Sequence, residues 1–84
     1  MRGVEEQTRQ TLKNIEAILT AAGSSLDDVV KVSVFLKDVR DFQMLNKVFA
    51  EFFKEPPPAR TTVGVKFVAP EMLVEIDVIA YFPK

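Results

Sequence analysis

Hydrophobic positions change period several times along the chain, and each change marks an element. Over about residues 4–22, Leu12, Ile15, Leu19 and Ala22 recur at spacings of three, four and three, with Thr8 and Ile18 widening the stripe. That pattern predicts an amphipathic helix. Glu5 and Glu6 suit its positive N-terminal end, and Gly23 is placed to stop it. Residues 24–28, Ser-Ser-Leu-Asp-Asp, read as a turn in which a serine caps a single helical turn. The period then falls to two. Across 29–37, Val30, Val32, Val34 and Leu36 form one apolar face, and Val29, Lys31, Ser33 and Phe35 form a mixed one, which predicts a strand. Asp38 ends it. Asp41 stands at the N-cap of a second helix over 42–53, whose buried stripe is predicted to be Phe42, Leu45, Phe49 and Phe52. Pro56, Pro57 and Pro58 cannot continue that helix and impose an extended path.

Two apolar runs close the chain, 60–67 and 72–82, both with strand periodicity. Thr61, Val63, Val65 and Phe67 share a face of the first run, opposite Arg60, Thr62, Gly64 and Lys66. In the second, Val74, Ile76, Val78, Ala80 and Phe82 lie opposite Leu73, Glu75, Asp77, Ile79 and Tyr81. Residues 68–71, with Pro70, read as a hairpin loop. Folding about it sets Thr62 opposite Asp77, Gly64 opposite Glu75 and Arg60 near Ile79. One face is then uniformly apolar, and the other gathers an arginine, a hydroxyl, a glycine gap and two carboxylates. The order α-β-α-β-β implies an α+β fold, one domain over 1–84, with two helices on one face of a three-stranded sheet. The opposite face mixes Phe35, Leu73, Ile79 and Tyr81 with Arg60, Lys31, Glu75 and Asp77, a composition suited to a subunit interface with a polar cleft.

Composition narrows the chemistry. With 84 residues, 48% of them hydrophobic and seven of them Phe, the chain is globular and its single core is only marginally sufficient. The net charge is −1 and Lys and Arg are scattered, so the basic stripe that nucleic-acid binding needs is missing. No run is long enough to span a bilayer, and no signal-peptide pattern is present. The absence of Cys fits a reducing compartment and removes thiol chemistry. The absence of His as well removes zinc sites of the usual kind, Ser-His and Cys-His nucleophile pairs, and imidazole acid–base catalysis. On residues alone, Arg60 and Glu75 read as a structural ion pair across the hairpin. Thr62 reads as a strand former and Gly64 as a bulge or a gap. Asp77 reads as a surface or interface acid, and Asn46 as a packing or interface residue.

Several segments carry a resemblance. Gln7-Thr8-Arg9-Gln10-Thr11-Leu12-Lys13-Asn14-Ile15, Ala21-Ala22-Gly23, Val29-Val30-Lys31-Val32 and Asp41-Phe42 are similar to the reactive intermediate deaminase (Rid) family, also called YjgF or L-PSP. Asn46, Phe52-Phe53, Pro58-Ala59-Arg60 and Val74-Glu75-Ile76-Asp77-Val78-Ile79-Ala80 complete the match, in the family's order and spacing. The resemblance implies a chorismate-mutase-like α+β subunit in a homotrimer whose sheets close a central barrel, with one cleft at each subunit boundary. It implies hydrolysis of reactive enamines and imines, such as 2-aminoacrylate and 2-iminobutanoate, to 2-keto acids and ammonia. No metal or organic cofactor is implied, and neither a membrane nor a nucleic acid is expected as a partner. Arg60 falls on the family's carboxylate-binding arginine and Glu75 on the acid that handles water. Thr62 stands where relatives often have Cys, and with Gly64 completes the expected substrate-binding set. Family members usually carry a strand pair ahead of the first helix, bringing a tyrosine and a Ser-Gly element to the cleft, whereas Met1-Arg2-Gly3 opens directly onto the helix. Some family members are named for RNA cleavage and inhibition of translation, which is one alternative function; another is a non-catalytic trimer that binds small carboxylates. The expected compartment is the cytoplasm, with the mitochondrion as alternative.

Overall fold

A computed structural model describes residues 3–82. It contains helix α1 (Val4–Ala21), strand β1 (Val29–Leu36), helix α2 (Phe42–Phe52), strand β2 (Ala59–Gly64) and strand β3 (Val74–Ala80), with single 3-10 turns at Leu26–Asp28 and Val39–Asp41. Element types and order are those predicted. Both helices pack on one face of a three-stranded mixed sheet, and Leu12, Val32, Val34, Leu36, Leu45 and Val48 between them are fully buried.

Local chemistry explains the boundaries. Gly23 ends α1 with a φ of 83°, a left-handed conformation that costs a side-chain-free residue little. Its N–H donates to the Thr20 carbonyl, and the Ser24 N–H donates to that of Leu19, the two bonds of a Schellman stop. Ser25 caps the following 3-10 turn by accepting from the Asp27 N–H, as expected of a serine in this turn. Ile18 does not widen the α1 stripe; it is 68% exposed on the outer surface. The two helices are joined by Arg9, which makes two hydrogen bonds to Glu51, at 2.7 and 3.0 Å, and one to Glu5 at 3.1 Å.

The cap of the second helix differs from expectation. Asp41 makes no side-chain cap bond. Asp38 instead accepts from the Arg40 N–H at 2.9 Å and pairs with the Arg40 guanidinium at 2.8 Å, opening the turn that leads into α2. The guanidinium first, and the backbone bond second, hold the Asp38 carboxyl down from 3.8 to about 2. Because the folded value is depressed, the stabilisation is complete above the unfolded value and is lost as pH falls toward about 2. Urea titrations of wild type and Asp38→Asn should therefore show a constant gap in midpoint from neutral pH down to about pH 4, closing between about 4 and 2. A gap that persists at the acid end would mean the carboxylate's charge contributes nothing.

Strand pairing departs most from the sequence reading. The sheet order is β2-β1-β3, so the two C-terminal strands do not form a hairpin; β1 lies between them, parallel to β2 and antiparallel to β3. β2 ends at Gly64 and β3 starts only at Val74, a connection too long for a tight hairpin turn. It wraps the end of β1, where the Val65 N–H donates to the Leu36 carbonyl and the Lys37 N–H to that of Leu73. The central position falls to the strand with the most buried side chains, and the parallel pair is closed by α2 as the crossover. A register shift between Val29 and Lys31 leaves Val30 as an extra residue. Val29 is buried and Val30 is 52% exposed, which reverses their predicted faces.

Candidate functional site

Laterally paired residues in a sheet share a face, so the observed register decides which predicted site residues meet. Arg60, Thr62 and Gly64 pair with Val32, Val34 and Leu36, and through them align with Val78, Ile76 and Val74. That is the face covered by the helices. Glu75 and Asp77 pair with Phe35 and Ser33, on the uncovered face. The expected meeting of Thr62 with Asp77, and of Gly64 with Glu75, does not occur within one chain. Arg60 and Glu75 are no ion pair either: they occupy opposite sides of the sheet.

Arg60 leaves edge strand β2 toward α2. One Nη2 donates to Asn46 Oδ1 at 2.6 Å, and its Cζ lies 5.1 Å from the Phe49 ring centroid and 5.3 Å from that of Phe42. Phe42, Asn46 and Phe49 follow the i, i+4, i+7 spacing of one helix stripe, so a single face of α2 grips the guanidinium from its turns. Among the described residues Arg60 has no carboxylate partner. Burial lowers its pKa from the ordinary value, yet a guanidinium stays charged. Asn46 accepts from only part of the Arg60 donor fork, and Arg60 lines an open cleft of about 700 Å³ with Phe49, Phe53, Lys54, Glu55, Pro57 and Pro58. This leaves a half-buried cation with no ion-pair partner among the described residues, oriented by a neutral amide and two rings.

The other two predicted binding residues are placed differently from expectation. The hydroxyl of Thr62 is sealed from solvent and has no hydrogen-bond partner among the described residues. A buried unpaired hydroxyl costs about 1–3 kcal/mol. Thr62→Val should therefore raise stability in urea unfolding by about 1 kcal/mol, and a loss would show that the hydroxyl finds a partner in solution. Gly64 does not open a ligand gap. A Cβ there would lie 2.7 Å from Val39 Cγ1, so the space is already taken by the 3-10 turn before α2.

Glu75 is exposed on the uncovered face, and its carboxylate has no partner among the described residues. It borders a second, smaller cleft of about 430 Å³ whose apolar walls include Phe35, Val65, Phe67 and Met72. On the same face, Lys31 Nζ donates to Thr61 Oγ1, and Thr61, Ser33 and Asp77 lie in one row across the three strands. Val63, Ile79 and Tyr81 are exposed there, at 42%, 61% and 70%. Asn46, read from the sequence as a packing or interface residue, is instead the side chain that accepts from Arg60. Its signal was its position midway between two phenylalanines on one helical stripe.

Two helices on one face of a mixed three-stranded sheet, with the other face bare and partly apolar, is the fold of the YjgF/L-PSP class. The family model described as Endoribonuclease L-PSP matches residues 1–82. The chain is 54% identical over 78 residues to a RutC family protein of Pyrococcus horikoshii, covering 93% of this chain and 62% of that protein. It is 48% identical to the mitochondrial protein mmf1 of Schizosaccharomyces pombe, covering 92% of this chain and 49% of that one. Among solved structures, RidA from an Antarctic Psychrobacter superposes with a TM-score of 0.92 at 45% identity, over 98% of this chain and 67% of that chain. The protein is a member of the Rid/YjgF/L-PSP family. It spans about three fifths of the length of the Pyrococcus relative.

Proposed function

We propose that this protein hydrolyses reactive 2-enamino and 2-imino acids to 2-keto acids and ammonia, in a homotrimer whose clefts lie between copies. The observation that carries the reading is Arg60, a half-buried guanidinium that opens on a cleft and makes no ion pair among the described residues, although the exposed Glu55 also lines that cleft. A 2-imino acid supplies that carboxylate and places its C=N carbon at a fixed distance from it. Two parallel hydrogen bonds from the free part of the fork orient the substrate. Since Glu75 lies across the sheet from Arg60, the acid that meets this substrate is the Glu75 of a neighbouring copy, whose uncovered face closes the cleft. Glu75 takes a proton from water as the water oxygen bonds to the imine carbon, and the nitrogen, protonated, becomes an amine. The carboxyl then returns its proton to that amine; as the C–N bond breaks and ammonia departs, the hydroxyl proton passes to the carboxylate and the C=O of the keto acid forms. Such substrates hydrolyse unaided, so positioning and one acid–base group suffice; the latter alone contributes roughly 10²–10⁴-fold. No cofactor is required by this chemistry. The cytoplasm is the expected compartment, with mmf1 as the relative that motivates a mitochondrial alternative.

Ammonia release from 2-iminobutanoate, formed in situ by an amino-acid oxidase, tests the reading, alongside native mass and an RNA-cleavage assay on the same preparation. Imine hydrolysis above the spontaneous rate by a trimer supports it. Cleavage of RNA without imine hydrolysis would replace it with the endoribonuclease reading. Binding of 2-ketobutyrate without turnover would leave a carboxylate-binding trimer.

A further inference from the structure

We infer that Gln7, on α1, is a positioning residue for Glu75, acting through the backbone that leads into β3. The inference rests on Glu75 being the acid–base group of the proposed reaction. Gln7 reaches across the fold to the segment between β2 and β3 with both ends of its amide. Its Oε1 accepts from the Leu73 N–H at 2.9 Å, and its Nε2 donates to the Glu71 carbonyl at 3.0 Å. The two contacts are spaced by two residues, so the side chain satisfies this stretch of backbone as a neighbouring strand would. The Leu73 carbonyl, in turn, accepts from the Lys37 N–H at 3.0 Å, and Lys37 Nζ donates to the Pro70 carbonyl at 2.9 Å.

Leu73 is thus pinned on one side by α1 and on the other by the end of β1. That residue is two positions before Glu75 and on the same strand face by alternation. The pinned stretch also carries Met72, a wall of the Glu75 cleft. The Leu73 N–H is partly buried, so without the amide it stands unpaired in a poorly hydrated place. Loss of the amide therefore frees the entry to β3 and one wall of the cleft together. The Arg60 grip, built by α2 and β2, stays as it is.

Two variants test this. Gln7→Met keeps the length and removes both bonds, whereas Gln7→Glu keeps an acceptor for the Leu73 N–H. Gln7→Met should speed amide exchange at Leu73 and lower kcat on 2-iminobutanoate by about 10- to 100-fold, with KM and the Kd of 2-ketobutyrate within about twofold of wild type. Gln7→Glu should recover part of kcat. The inference is overturned if kcat is unchanged while Leu73 exchange accelerates. It is equally overturned if kcat and 2-ketobutyrate affinity collapse together and Gln7→Glu recovers neither, because that is a general structural loss. If wild type hydrolyses no imine, the deaminase reading fails, and the Glu75 carboxyl carbon resonance decides the positioning: displaced in Gln7→Met it supports the inference, unmoved it ends it.

Discussion

Replacing Arg60 with alanine should weaken 2-ketobutyrate binding by roughly 10²–10³-fold and reduce imine hydrolysis at least as much, since two hydrogen bonds to a charged group are lost, each about 1.5–3 kcal/mol before screening at this half-exposed position. Isothermal titration with 2-ketobutyrate, and ammonia release at fixed imine, measure the two effects. Arg60→Lys separates charge from shape. An ammonium keeps the positive charge but loses the fork, the stacking over Phe42 and Phe49 and the geometry of the Asn46 contact. It should bind about tenfold more weakly than arginine while remaining above alanine. Equal affinity for all three variants would remove Arg60 from the site and with it the proposed function.

The second large effect concerns the carboxyl on the uncovered face. Glu75→Gln is nearly isosteric and cannot accept water's proton, so kcat should fall by about 10²–10⁴-fold. Binding of 2-ketobutyrate should change by less than about threefold, because Arg60 carries the carboxylate contact. The split between the two variants is the diagnostic: one loses ligand, the other loses turnover with ligand still bound. Mixing the two inactive proteins adds a sharper test. Arg60 and Glu75 lie on opposite faces of one sheet, so a mixed assembly contains some clefts with both wild-type groups, one from each parent. Recovery of part of the activity on co-refolding is expected, and no recovery at all would place both groups in clefts made by a single copy.

Much of the fold was legible because its signals are local. The Leu12 and Leu19 stripe, the Gly23 stop, the Ser25 cap and the alternation of Val32, Val34 and Leu36 each report on a few neighbouring residues. The pairing of β2 and β3 was not legible. Alternation says which residues of one strand share a face, but carries nothing about which strand lies beside it, and sequential apolar runs favour a hairpin by default. The error then spread to the site. Grouping polar residues on one face assigned Arg60 to the side of Glu75, whereas the structure turns it under α2. A cation belongs there only because Phe42, Asn46 and Phe49 receive it, and those three were read as core and packing residues. Arg60 and Glu75 were both expected to face a ligand, and neither makes an ion pair among the described residues; on the proposed reading their common crevice needs a second copy. The Val29/Val30 exchange has the same origin, since a one-residue bulge inverts the phase of everything before it.

The parallel pairing of β1 with β2 has a consequence for how the molecule can vary. Everything that holds the Arg60 guanidinium comes from one uninterrupted β-α-β stretch, 29–64, whereas Glu75 lies on β3 and the segment that leads into it is bonded to α1. On the proposed reading, anion capture and proton handling are therefore modular. Substitutions in the middle of the sequence retune which acids are held, those toward its two ends retune what happens to them, and neither change obliges the other.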